Sequence, residues 1–272
     1  MNALKMYGKS SVKKYKSGDI MKLSFTTMGT PGVPLETLAK EVKNFGFDGV
    51  DMRVHPSGEL SLDLTVEQAE KIKELFKGIS FPGLLCYTKN LDDGEKEMEV
   101  SVLKHLEIAD MLGCESIRLF SGRIADENDI DRLCTVIENI LEKYPGNTKI
   151  YLQHHTLNGL TCSQAVEVFK RLDNERCGFI FSPDEGFKMD EDYMPYIPEI
   201  AKFTKQIYVA DITEDKKYCL MGEGIIPFRQ ILKDLENNGF DGFVTFKWEK
   251  CWCDYLPDYP IGFKSFTEYI KD

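Results

Sequence analysis

GEGIIPFRQILKDLENNGFDGFVTFKWE, residues 222–249, reads as a turn, a helix, a second turn and a strand. Gly222 and Gly224 shape the first turn around Glu223. Ile231, Leu232 and Leu235 recur at helical spacing and mark an inward stripe. Gly239 and Gly242 then lead into GFVTFKW at 242–248. Period two puts Thr245, Lys247 and Glu249 on one face of that strand. A lysine between Phe246 and Trp248, on a strand expected to be buried, is the chemical oddity of the stretch.

The same unit repeats along the chain. Strands are expected at LSFTT 23–27, GVDMR 49–53, GLLCYT 83–88, SIRLFS 116–121, IYLQHH 150–155, GFIFS 178–182 and QIYVAD 206–211. Between them run apolar stripes of helical period, such as Leu35, Leu38, Ala39, Val42 and Phe45. Thr65 with Gln68, and Thr161 with Gln164, have capping-box spacing and start helices. Gly46 and Gly113 stop two others. A polar helix interrupted by Pro195 and Pro198 follows strand six, and a last helix runs from about 263 to the end. Eight strand–helix units predict an α/β fold of the closed (β/α)8 TIM-barrel type. An open doubly wound sheet would normally need fewer strands, and no glycine-rich phosphate fingerprint follows any strand.

Composition bounds the function. The chain has 272 residues, 42% hydrophobic and 29% charged, with a formal charge of −11. The acidity argues against nucleic acid as the main partner. Eight scattered cysteines suit a reduced, cytoplasmic protein better than a disulfide scaffold. No run of eighteen apolar residues reads as a membrane span. Residues 1–20 carry five lysines and one aspartate without a secretory apolar core, and are expected to be a basic extension before a single barrel domain at 21–272.

In a barrel, the C-terminal strand ends converge on one site. Position places Asp51, Arg53 and His55 there from strand two, Tyr87 from three, Arg118 from four, and Gln153 and His155 from five. Ser182, Asp184 and Glu185 come from six, Tyr208 and Asp211 from seven, and Lys247 and Glu249 from eight. Arginines at strand ends suit an anionic ligand and equally suit structural pairing. His154 points away from His155 and is expected to be structural. Cys251 and Cys253 could share a soft metal, but the rest of a four-ligand set is not evident.

From Met21 onward the chain resembles the sugar-phosphate isomerase/epimerase superfamily, the xylose isomerase-like TIM barrels. The stretches that carry this are FGFDGVDMR at 45–53, LGCESIRLFSG at 112–122 and the segment at 222–249. The resemblance implies a carbohydrate or sugar phosphate substrate and proton transfer between adjacent carbons, assisted by a divalent metal. It implies a Glu-Asp-His-Glu metal set whose places fall on Gln153, Ser182, Tyr208 and Lys247, the last becoming Glu249 if the register slips by two residues. Those are weak neutral donors and one cation, so neither a family-type metal nor another cofactor is expected. The expected catalytic group is then Lys247, either as an ammonium in the vacated cation place or as an amine of lowered pKa that acts as base or imine former, with His155 and Glu185 moving protons; a buried salt bridge is the structural alternative. Arg53, His55, Tyr87, Arg118, Gln153, Ser182, Tyr208, Asp211 and Glu249 are the expected substrate contacts. The alternative is a catalytically degenerate barrel that binds a carbohydrate or anionic metabolite, or serves as a protein-interaction module. The DNA-repair endonuclease branch is remote on charge and on the missing ligand set. Barrels of this type often associate, so a homo-oligomer stays open; no interface patch is legible.

Overall fold

The computed structural model of the protein describes residues 21–271. The basic extension expected at 1–20 lies outside the described residues.

The described strands close into a parallel barrel in sequence order. They are β1 (Lys22–Thr26), β2 (Gly49–Arg53), β3 (Leu84–Leu85), β4 (Ser116–Leu119), β5 (Lys149–Gln153), β6 (Cys177–Phe181), β7 (Thr204–Val209) and β8 (Phe243–Phe246). The helices are α1 (Leu35–Phe45), α2 (Val66–Leu75), α3 (Glu95–Leu112), α4 (Glu127–Lys143), α5 (Cys162–Leu172), α6 (Pro183–Lys188), α7 (Ile197–Ile200), α8 (Phe228–Asn237) and α9 (Tyr259–Lys271). Closure comes from β1 pairing with β8, with Leu23 opposite Val244 and Phe25 opposite Phe246.

Local signals set the helix bounds. Thr65 and Gln68 form a reciprocal capping box, with bonds of 2.9 and 3.2 Å, and Thr161 and Gln164 form another at 3.0 and 3.2 Å. Each satisfies two orphan donors of a helix start. Gly46 and Gly113 adopt φ of 76° and 73°, the left-handed region where a Cβ would be strained, and end α1 and α3.

The pleat sorts side chains into two cores. Ile150, Leu152, Phe179, Phe181, Val244 and Phe246 face outward and pack under the helices. Met28, Leu85, Tyr151, Ile180 and Tyr208 form a small cluster inside the barrel. Below them the interior is polar. Gln206 Nε2 donates to Asp51 Oδ2 at 2.7 Å and to Thr245 Oγ1 at 2.6 Å, and Tyr208 donates to Asp51 at 3.1 Å. Burial drives the Asp51 carboxyl up to about 7 against those hydrogen bonds.

Several expected bounds shift. The third strand shrinks from 83–88 to Leu84–Leu85, as the chain enters it from Pro82 and leaves at once into a loop. β7 begins earlier, at Thr204, and stops before Asp211. β8 stops at Phe246, so Lys247 and Glu249 stand on the rim just beyond it. Asp184 and Glu185 occupy the first turn of α6, behind Pro183. The last helix starts at Tyr259, ahead of the expected 263.

Candidate active site at the strand ends

Lys247 is the centre of the mouth. Its ammonium is buried, 2.8 Å from Asp184 Oδ2 and 2.9 Å from Glu185 Oε1. Glu249 Oε1 is 3.8 Å away. On the far side of Glu185, its Oε2 faces His155 Nε2 at 4.0 Å and accepts from the Thr156 amide at 3.3 Å. His155, Glu185, Lys247 and Glu249 therefore form a continuous ionisable line from β5 across β6 to β8. Lys188, one turn along α6, lies 3.4 Å from Glu185 and 3.8 Å from Asp184. The Tyr218 hydroxyl meets Lys188, Asp184 and Glu185.

Burial and charge pull these groups apart. Burial acts to lower the Lys247 pKa, but the Asp184, Glu185 and Glu249 charges outweigh it and push it up. Burial likewise acts to raise Glu185, and the Lys247, His155 and Lys188 charges hold it far below the carboxylate range. Desolvation wins at Glu249 and Asp184, and both rise. Desolvation brings His155 down to about 4, so its ring is neutral at ordinary pH. A pair of nearby carboxylates driven in opposite directions, Glu185 down and Glu249 up, is the pattern of separate acid and base assignments.

One expectation is thereby corrected. Lys247 is not an amine of lowered pKa. Its neighbours are anions, not the cations that would depress it, and it stays an ammonium. The role of base or imine former falls away, and that of fixed positive charge remains.

Other expected residues divide. Gln153 bridges Arg118 at 3.2 Å and Ser182 at 3.3 Å. Arg118 also donates to the Cys86 carbonyl at 2.7 Å and lies over the rings of Phe120 and Tyr87, at 4.3 and 5.0 Å. Arg53 is buried and donates to the Ser57 carbonyl at 2.7 Å. His55 meets Tyr87 edge-on at 5.1 Å and Trp252 at 6.3 Å, an aromatic rim. Two expected ligand contacts are committed elsewhere. Tyr208 is fully buried and spends its hydroxyl on Asp51, down inside the barrel. Asp211 accepts from the amides of Ile212, Gly222, Gly224 and Ile226, at 3.0, 2.9, 3.0 and 3.3 Å. It braces the glycine turn. A Cβ on Gly224 would collide with that carboxylate.

His154 is turned outward as expected. It is buried beside Phe181, with Nε2 2.7 Å from Glu191 Oε2. Cys162 lies close enough that the three ligand atoms fall within 4.8 Å of one another. Glu191 Oε1 is already taken by the Cys162 amide at 2.8 Å, so the cluster reads as a hydrogen-bonded brace. The eight cysteines are free thiols.

Lys188, Tyr218 and Glu59 were not legible as mouth residues. Lys188 had a signal, since it follows Asp184 by four residues, but only if α6 is read as a helix. Tyr218 had none. It arrives through an isolated bridge between Ile212 and Tyr218. Glu59 is carried in by the loop after β2 and accepts from Thr27 Oγ1 at 2.5 Å.

A closed parallel barrel with its ionisable cluster at the strand C-termini defines the class of protein. The chain belongs to the xylose isomerase-like TIM barrel family, whose pattern matches residues 39–260. It is 22% identical over 259 residues to fructoselysine 3-epimerase of Escherichia coli O157:H7, covering 83% of this chain and 89% of that one. Among solved structures it is similar to D-psicose 3-epimerase with D-tagatose from Clostridium cellulolyticum H10. There the TM-score is 0.74 at 15% identity, over 93% of this chain and 100% of that one. The IolI protein with a bound zinc atom matches with a TM-score of 0.70 at 16% identity, over 92% and 98% of the two chains.

Proposed function

We propose that the protein isomerises or epimerises a carbohydrate or sugar phosphate at the barrel mouth, by proton transfer that does not use a divalent ion of the family type. The observation that carries this reading is the line His155–Glu185–Lys247–Glu249, with its two carboxylates driven in opposite directions.

Moving a stereocentre next to a carbonyl needs a proton acceptor, a proton donor and a positive group for the enediolate oxygen. Glu249, its pKa raised by burial against the pull of Lys247, holds a proton more readily than an ordinary carboxylate and is placed to exchange it. Neutral His155 supplies the second proton-transfer position on the β5 side. Lys247 supplies the positive charge, and Asp184 and Glu185 hold it in place. The aromatic rim of His55, Tyr87 and Trp252 offers stacking faces for a sugar ring.

The donor set does not fit the metal that the resemblance implies. At the corresponding places, Gln153 is shared between Arg118 and Ser182, and Tyr208 is bonded to Asp51. Lys247 brings an ammonium that repels a cation at ligand distance. The zinc of the IolI neighbour belongs to that protein. Free thiols and the absence, among the described residues, of a helix long and apolar enough to cross a membrane are compatible with cytoplasmic work on small molecules.

The test is deuterium uptake from D2O. Protein treated with EDTA is incubated with ketoses, ketose phosphates and fructosamines, and the carbon-bound protons beside the carbonyl are followed by NMR. Uptake by the wild type that drops about 100-fold or more in Glu249→Gln supports the reading. Uptake that needs added zinc, manganese or cobalt refutes the metal-independent part. A second reading rests on the Lys247–Asp184–Glu185 cluster being closed on itself, as in a binding protein without turnover. Tight sugar binding with no uptake would favour it.

A further inference from the structure

Arg53 and Arg118 stand on the β2–β4 side of the mouth, in register with Leu85 between them. Both side chains are more than nine-tenths buried, at 2% and 3% exposure. The guanidinium hydrogen bonds go to uncharged groups, Arg53 to the Ser57 carbonyl and Arg118 to the Cys86 carbonyl and Gln153, while the Arg53 backbone N–H donates to Glu59 Oε2 at 3.3 Å. In each the Nε is buried with no partner. Among the described residues, the arginines that pair with carboxylates are Arg132 and Arg171, both on the helical exterior.

Buried guanidinium groups without a counter-anion are costly. The carboxyls that feel their charge are themselves disfavoured as anions: burial holds Asp51 up to about 7 against the pull of Arg118, and raises Glu59 against the pull of Arg53. On the opposite side, Lys247 and Lys188 already face Asp184 and Glu185. The excess positive charge of the mouth therefore lies at β2–β4, in a protein whose formal charge is −11. Positive charge at the strand ends draws anions, and the guanidinium fork matches a carboxylate or phosphate.

We infer that the β2–β4 side of the mouth is an anion subsite, in which Arg53 and Arg118 read a carboxylate or phosphate carried by the sugar substrate. This rests on the mouth being a carbohydrate site, as proposed above. It places the charged end of the substrate on the two arginines and the reacting carbon toward Lys247 and Glu249. Tyr87 and Phe120 flank the Arg118 guanidinium and hold it flat for that contact.

The test is calorimetric binding to the full chain of D-fructose 6-phosphate, D-glucuronate and neutral D-fructose, with inorganic phosphate as competitor. At least one anionic probe is expected to bind about tenfold or more tighter than D-fructose, the size of a hydrogen bond to a charged group. Phosphate and added salt should erode that preference. In Arg118→Gln and Arg53→Gln the ratio of anionic to neutral affinity should fall toward one, while Arg118→Lys keeps part of it. Preference for D-fructose 6-phosphate alone assigns a phosphoryl group, and for D-glucuronate alone a carboxylate. Equal binding of all probes, or of none, overturns the inference, and the wild type decides this even if a variant fails to fold. Anion preference without deuterium uptake would remove the proposed reaction and leave the subsite. Uptake confined to neutral sugars would do the reverse.

Discussion

Lys247 and Asp184 are both buried and lie 2.8 Å apart, joining the end of β8 to the first turn of α6. A buried pair of this kind adds little net stability over an apolar replacement, but losing one partner leaves a charge stranded. Lys247→Met should therefore cost about 3–5 kcal/mol in urea unfolding. Adding Asp184→Asn and Glu185→Gln to it should recover much of the loss. A single variant as stable as the wild type would show that the cluster is solvated.

His155 sets an acid limb. Its folded pKa of about 4 lies below the unfolded 6.5. The unfolded state thus binds more protons between those values, and stability falls as pH drops from about 6.5 toward 4. If neutral His155 transfers a proton, kcat/KM should fall through about pH 4 as well. His155→Gln should lower kcat about 100-fold and remove its part of the stability slope. Urea midpoints and rates measured from pH 4 to 7 check both.

Asp51 has the opposite sign. Its carboxyl is raised to about 7 from 3.8, so the folded state holds the proton in that window and stability is lost as pH rises through it. Asp51→Asn keeps an acceptor for Gln206 and Tyr208 without the charge. It should match the wild type near pH 4 and exceed it by about 4 kcal/mol at pH 8. Equal slopes for the two proteins would contradict a buried carboxyl.

Asp211 acts through backbone amides and not through ligand. Asp211→Ala leaves four amide donors without their acceptor and should destabilise the protein by about 2 kcal/mol or more. Gly224→Ala should do the same by collision with the carboxylate. Hydrogen exchange at residues 222–226 should rise in both. A change in sugar affinity with native exchange would instead return Asp211 to the ligand.

The alternation of apolar stripes and short strands was enough to read the barrel, because each β/α unit buries one face locally and eight of them leave no free edge. Strand-end position also brought Lys247, Glu249, His155, Gln153, Arg53 and Arg118 to the mouth. Position does not report which way a charge is balanced. Asp184 and Glu185 were legible at the mouth beside the cations, but their closure on the Lys247 ammonium at 2.8 and 2.9 Å depends on α6 starting directly at Pro183. Tyr208 and Asp211 illustrate the other limit. They share a strand end with the site, yet one points down the barrel axis and the other curls under its own loop.

The ring closes between β1 and β8, and the Lys247 ammonium that neutralises the α6 acids follows directly on β8. On the ribosome, Asp184 and Glu185 are made long before Lys247. Until the chain has been extended past residue 247, burying them would leave two carboxylates with Lys188 as their shared cation. The last strand–helix unit therefore does two jobs at once: it closes the ring and completes the charge balance of the α6 acids.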